Sequence, residues 1–252
     1  MPAGNAGARL RGMSTFERDG VSIHYEISGE GFPVLVFAPG GMRSSIDVWD
    51  GAPWSPTREL ASEFRVVAMD QRNAGSSRAP VRAGDGWQSY TDDHVALLDH
   101  LGIERCHVMG GCIGSSYCLG LMQTAPERVA AAVLQNPIGL AQNRDAFYEM
   151  FDTWAVQLRE AQPEVDDEVW RAFRERMYGG DFVFNVSRDF VRDCSTPLLI
   201  LAGNDLYHPA AISREIAELA PDVELIERWK EPEVVNGVVE RVRRFLSEHT
   251  PA

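Results

Sequence analysis

From residue 20 onward, short β-branched runs alternate with longer amphipathic ones, and few architectures accept that rhythm. Residues 21–27 alternate as a half-buried strand, and 34–38, 64–69, 106–109, 129–134, 197–202 and 223–226 read as further strands. Helical patterns lie between them at about 55–63, 88–101, 112–124, 210–219 and 233–249. Strand, helix, strand, helix implies an α/β fold: a mostly parallel central sheet with helices on both faces. One segment interrupts it. Residues 139–193 hold no convincing strand but many large apolar side chains, among them Phe147, Trp154, Trp170 and Tyr178. Its aromatic density and position predict a small helical lid over a pocket.

With 252 residues and 44% hydrophobic composition the chain can bury one sizeable core, so residues 16–252 are expected to form a single domain. Residues 1–15, small and polar with no apolar core of signal-peptide type, are expected to be a disordered tail. A formal net charge of −13 speaks against nucleic acid or an anionic membrane as partner and leaves a small-molecule substrate. The longest apolar runs are strand-sized, short of the roughly 20 residues that cross a bilayer. A soluble, cytoplasmic protein is expected, and homo-oligomerisation stays open. Cys106, Cys112 and Cys118 recur every six residues, with Cys194 far away. That spacing fits neither a zinc site nor a disulfide framework, so free thiols, no metal and no cofactor are expected.

One cysteine stands in a special turn. A strand ending at Val108-Met109 runs into Gly110-Gly111-Cys112-Ile113-Gly114 and then into a helical pattern. A reactive residue there would sit on a strained backbone, with small residues two before and two after because strand and helix pass too close for a Cβ. In this the chain resembles the α/β-hydrolase superfamily, with cysteine in place of the usual serine. Other segments match in order: Pro39-Gly40-Gly41-Met42-Arg43 after the second apolar strand, Asp70 to Ser77 after the next, and Gly203 to Pro209 after the sixth. The resemblance implies Cys112 as nucleophile and Asp205 as catalytic acid. It implies the backbone N–H groups of Gly41 and Ile113 as oxyanion donors. Gly40 would let a ligand approach, with Met42, Phe147 and Trp154 as pocket lining by position. Arg43 is a surface charge by default and otherwise a partner for a substrate carboxylate.

The resemblance fails at the histidine, which the superfamily keeps between the last strand and the last helix. Residues 227–234 contain none. His208 lies three residues after Asp205; it could turn toward Cys112, though a His-Pro pair at this place favours loop packing. A thiol needs a base less than a hydroxyl does, since a few per cent is thiolate near neutral pH and a helix N-terminus increases that share. The expected function is therefore hydrolysis of an ester, thioester, lactone or related acyl substrate. A binding or sensing protein without turnover is the alternative, as is a lyase or acyltransferase on the same scaffold. The two classes differ in one geometric respect: the binding protein requires His208 to face away from Cys112.

Overall fold

The computed structural model describes residues 12–251. Its centre is an eight-stranded sheet of β1 (Gly12–Arg18), β2 (Val21–Ser28), β3 (Pro33–Phe37), β4 (Arg65–Met69), β5 (Cys106–Gly111), β6 (Val129–Gln135), β7 (Leu198–Leu201) and β8 (Val223–Ile226). The order across the sheet is β1-β2-β4-β3-β5-β6-β7-β8. The β1–β2 and β2–β4 pairs are antiparallel, and every pair from β4 to β8 is parallel.

Each inner strand divides its side chains between two cores, as a period of two requires. Leu35, Phe37, Val67, Met69, Val108, Leu198 and Ile200 pack on one face. Val34, Val36, Val66, Ala68, Met109, Leu199 and Leu201 pack on the other. The first face is covered by α2 (Trp87–His100), α3 (Ile113–Thr124) and α7 (Ala210–Leu219). The second is covered by α8 (Val235–Glu248), which buries Val238, Val242, Phe245 and Leu246 there.

Two expectations are corrected. Residues 12–15 belong to β1, where Thr15 pairs with His24, so the tail expected to reach residue 15 overlaps a strand; residues 1–11 lie outside the described residues. The helix expected at 55–63 is only one turn, α1 (Pro56–Glu59).

Residues 139–193 form three helices, α4 (Arg144–Ala161), α5 (Asp167–Tyr178) and α6 (Arg188–Asp193), inserted between β6 and β7. Most of their aromatic side chains pack on one another. Phe151 meets Trp154 and Phe173 at centroid distances of 5.3 and 5.1 Å, and Phe147 stacks on Tyr178 at 5.2 Å. Edge-to-face and offset pairs of this kind each add about 0.5–1.5 kcal/mol beyond area burial. The aromatic density thus extends the core on the first sheet face, and of these rings only Phe147 and Tyr178 reach the cavity below.

The turn after β4 is held by buried charge. Asp70 accepts the backbone N–H groups of Ile46 and Ser76. Arg72 forks onto Asp93 at 2.8 and 2.9 Å and reaches Asp85 at 3.1 Å, with its side chain only 6% exposed. Arg72→Met would strand two carboxylates in the interior. Urea denaturation is expected to show a loss of about 3–5 kcal/mol, the cost of breaking a buried ion pair from one side.

Candidate active site

The turn between β5 and α3 is as tight as its glycines require. A Cβ on Gly110 would lie 2.0 Å from the Gly114 carbonyl oxygen, and one on Gly114 would lie 2.4 Å from the Phe37 carbonyl oxygen. No other residue type fits either place. Between them Cys112 adopts φ 58°, ψ −121°, a conformation that costs a non-glycine residue about 1–3 kcal/mol. Its N–H donates to the Gln135 carbonyl on β6 at 2.9 Å, which locks the turn to the neighbouring strand. The side chain is thereby held at the N-terminus of α3, on the floor of a cavity of about 500 Å³.

The four cysteines are free thiols with different environments. Burial pushes Cys106 up to about 12 and raises Cys118 well above the ordinary thiol value. Burial also opposes ionisation of Cys112, but there it is outweighed by the imidazole of His208 and by the backbone N–H groups of Ile113 and Gly40. The net effect lowers this thiol. Cys112, with its thiol lowered, is also the one cysteine of the four that is not fully buried.

His208 is the source of that effect. Its Nδ1 lies 2.7 Å from Asp205 Oδ1, and its Nε2 is buried without a partner of good hydrogen-bond geometry, close enough to the sulfur for each to shift the other. Burial would lower the imidazole; Cys112 and then Asp205 outweigh it and bring His208 up to about 9. Burial likewise opposes the Asp205 carboxylate, and His208 together with the Tyr207 and His208 N–H groups lowers it. The loop closes on itself through reciprocal backbone bonds between Asp205 and His208, each 3.2 Å. His208 is therefore not turned away into loop packing. The structure brings Cys112, His208 and Asp205 into one line.

In the segment after β8, where the superfamily resemblance would put a histidine, the one large buried side chain is Trp229. It is buried and donates from Nε1 to the Ala202 carbonyl at 2.8 Å, directly beneath the loop that carries Asp205. The remaining described histidines have other work. His94 meets Gln71 Oε1 at 2.8 Å, His107 meets Thr250 Oγ1 at 3.0 Å, and burial pushes them down to about 3 and about 4.

Gly40, Gly41, Ile113 and Phe147 line the cavity. At Gly41, with φ 58°, an added Cβ would strike Met150 Sδ at 2.1 Å, so this glycine lets α4 close over the cavity. Three residues are not brought to the wall. Met42 is buried behind it, its Sδ accepting from the Tyr178 hydroxyl at 3.4 Å. Arg43 is tied to the Thr153 carbonyl at 3.1 Å, and Trp154 donates to the Asn73 carbonyl at 3.2 Å; both border a different surface recess. Arg43 and Trp154 point out of the cavity, their polar atoms committed to backbone carbonyls elsewhere. Sequence reasoning missed Gln135, Asn136, Met150, Tyr178 and Tyr207 as lining. The direct continuation of β6 past the turn it supports was the available signal for Gln135 and Asn136.

Among the described residues no group of three or more His, Cys, Asp or Glu could hold a metal ion, and no helix is long and apolar enough to cross a membrane.

Comparison with known proteins places this geometry. A protein named "Probable proline iminopeptidase" from Leptolyngbya boryana is 33% identical over 175 residues, covering 64% of this chain and 51% of that one. The chain spans about half the length, or less, of the curated relatives it matches. Among solved structures, an enol-lactonase from Burkholderia xenovorans superimposes with a TM-score of 0.69 at 22% identity, covering 93% of this chain and 100% of that one. A meta-cleavage product hydrolase from Pseudomonas fluorescens gives 0.69 at 20% identity, covering 94% and 98%. At these identities the likeness is one of fold. The family model for the alpha/beta hydrolase fold matches residues 33–181, more than half of the sequence, and the chain belongs to that family.

Proposed function

We propose that the protein hydrolyses an ester, thioester or lactone through a covalent intermediate on Cys112. The observation that carries this reading is His208, bonded to Asp205 through Nδ1 and left with a buried, unpartnered Nε2 beside the thiol. A binding protein without turnover would have no need of that arrangement, and the orientation it requires of His208 is absent.

The reacting form pairs the Cys112 thiolate with a protonated His208, a pairing favoured by the lowered thiol and the raised imidazole. The thiolate attacks the substrate carbonyl carbon, forming a C–S bond, and the carbonyl oxygen takes up the negative charge. The N–H groups of Ile113 and Gly41 serve as its donors, the Ile113 N–H passing from the sulfur, which it shares with that of Gly40, to the developing oxyanion. The tetrahedral species collapses as His208 gives its proton to the departing oxygen or sulfur. His208 is then neutral and takes a proton from water, whose hydroxide attacks the thioester and releases the acid and the thiolate. Asp205 holds the imidazole with Nδ1–H engaged, so that Nε2 is the nitrogen that exchanges the proton.

The pH dependence of acylation tests this. The sign follows from the shifts: a thiol below its ordinary value is ionised before pH reaches the ordinary thiol range. With p-nitrophenyl acetate, whose leaving group departs without a proton, the burst rate should rise through that lowered value and stay level. With an alkyl ester, whose alkoxide must be protonated, the rate should fall again above about 9 as His208 loses its proton. A burst that rises only in the ordinary thiol range would contradict the ion pair.

A further inference from the structure

The cavity above Cys112 offers hydrogen bonds and no surplus charge. Among the described residues that line it, none is Asp, Glu, Lys or Arg. Its one basic side chain, His208, already has Nδ1 engaged by Asp205 at 2.7 Å. A substrate carboxylate would therefore lose its water without gaining a partner, and burial of an unpaired charge is heavily disfavoured. Arg43, the cation nearest in sequence to the oxyanion loop, is committed to the Thr153 carbonyl outside the cavity.

Two amides supply the polarity. Gln135 ends β6 beside the nucleophile turn, its backbone oxygen accepting from Cys112, and its side chain is 3% exposed with Oε1 unpartnered. Asn136 follows with φ 49°, its N–H fixed to the Leu201 carbonyl at 2.8 Å, and its Oδ1 is also buried and unpartnered. Both residues line the cavity, whose wall is otherwise mostly apolar, as at Ile138, Phe147 and Met150. Polar groups left unpaired in such a wall favour a ligand that completes them and penalise one that covers them with hydrocarbon.

Resting on the acyl-transfer reading, we infer that the substrate is an uncharged acyl compound bearing a hydroxyl or similar neutral hydrogen-bonding group near the reacting carbonyl, and that Gln135 and Asn136 select it. A hydroxyl suits either orientation of an amide, since it both donates and accepts.

The test compares p-nitrophenyl esters of butyrate, 3-hydroxybutyrate and hemisuccinate, each corrected for spontaneous hydrolysis. The hydroxylated ester should exceed butyrate about tenfold in kcat/KM, and the anionic ester should fall about 100-fold below it. In Gln135→Leu and Asn136→Leu the hydroxyl preference should shrink toward unity. Hemisuccinate within threefold of butyrate, or a hydroxyl preference intact in both variants, overturns the inference. Binding of 3-hydroxybutyramide, butyramide and succinamate to Cys112→Ala, followed by calorimetry, separates this inference from the chemistry. If no ester acylates Cys112, the covalent reading falls, while the same order of affinities upholds the selectivity and equal affinities overturn it.

Discussion

Cys112→Ala mixed with excess p-nitrophenyl acetate is expected to release nitrophenol at the background rate, with no burst and no change in intact mass. The unaltered protein should show a burst of one equivalent, a single acetyl adduct, and clearance of that adduct as turnover proceeds. Loss of a covalent nucleophile typically costs 10⁴-fold or more in kcat, because the residual binding groups cannot replace the bond-forming atom. The contrast with the other thiols sharpens the test. Cys106 and Cys118 are buried with raised values, so neither should carry the acetyl group. An adduct that persists in the unaltered protein would identify acylation without competent hydrolysis and would redirect the reading toward acyl transfer. An adduct in Cys112→Ala would remove Cys112 from the mechanism.

His208→Asn should be the second largest loss and should leave a different signature. Acylation loses the charge that lowers the Cys112 thiol, and burial, which opposes ionisation, is left opposed only by the Ile113 and Gly40 N–H groups. The acid limb of the burst should move upward in pH, and the plateau reached at high pH should be preserved in large part. Deacylation loses its base altogether, so turnover should fall about 10²–10⁴-fold and the acetyl adduct should accumulate. A merely structural role for His208 predicts neither the moved limb nor the trapped adduct. Asp205→Asn should cost less than His208→Asn, since it leaves the imidazole in place but removes the group that orients it.

The sheet and the nucleophile turn were legible in the residues because both depend on local pattern. Seven strands show short apolar runs, alternating at 21–27 and continuous in the buried inner strands, and Gly110 and Gly114 announce a close approach that permits no Cβ. β1 was not legible: Gly12–Arg18 is an edge strand paired on one side with β2, and an edge strand needs no continuous apolar run. The site was half legible. Cys112, Asp205, Gly41 and Ile113 were expected from the resemblance of their turns to those of the α/β-hydrolase superfamily. The meeting of His208 with Cys112 depends on how residues 205–208 fold back through their own backbone bonds, which spacing does not encode. The placements of Arg43 and Trp154 failed for a related reason, since their directions are set by acceptors on distant segments, Thr153 and Asn73.

Asp205 and His208 occupy one short loop anchored from below by Trp229, with no chemistry left on the segment after β8. Base and orienting carboxylate therefore travel as a single rigid cargo, and their mutual distance is insulated from movements of the last helix. The same economy creates a single point of failure. On the proposed mechanism, a local opening of four residues would disarm both groups at once, and turnover would be bounded by the opening free energy of one loop.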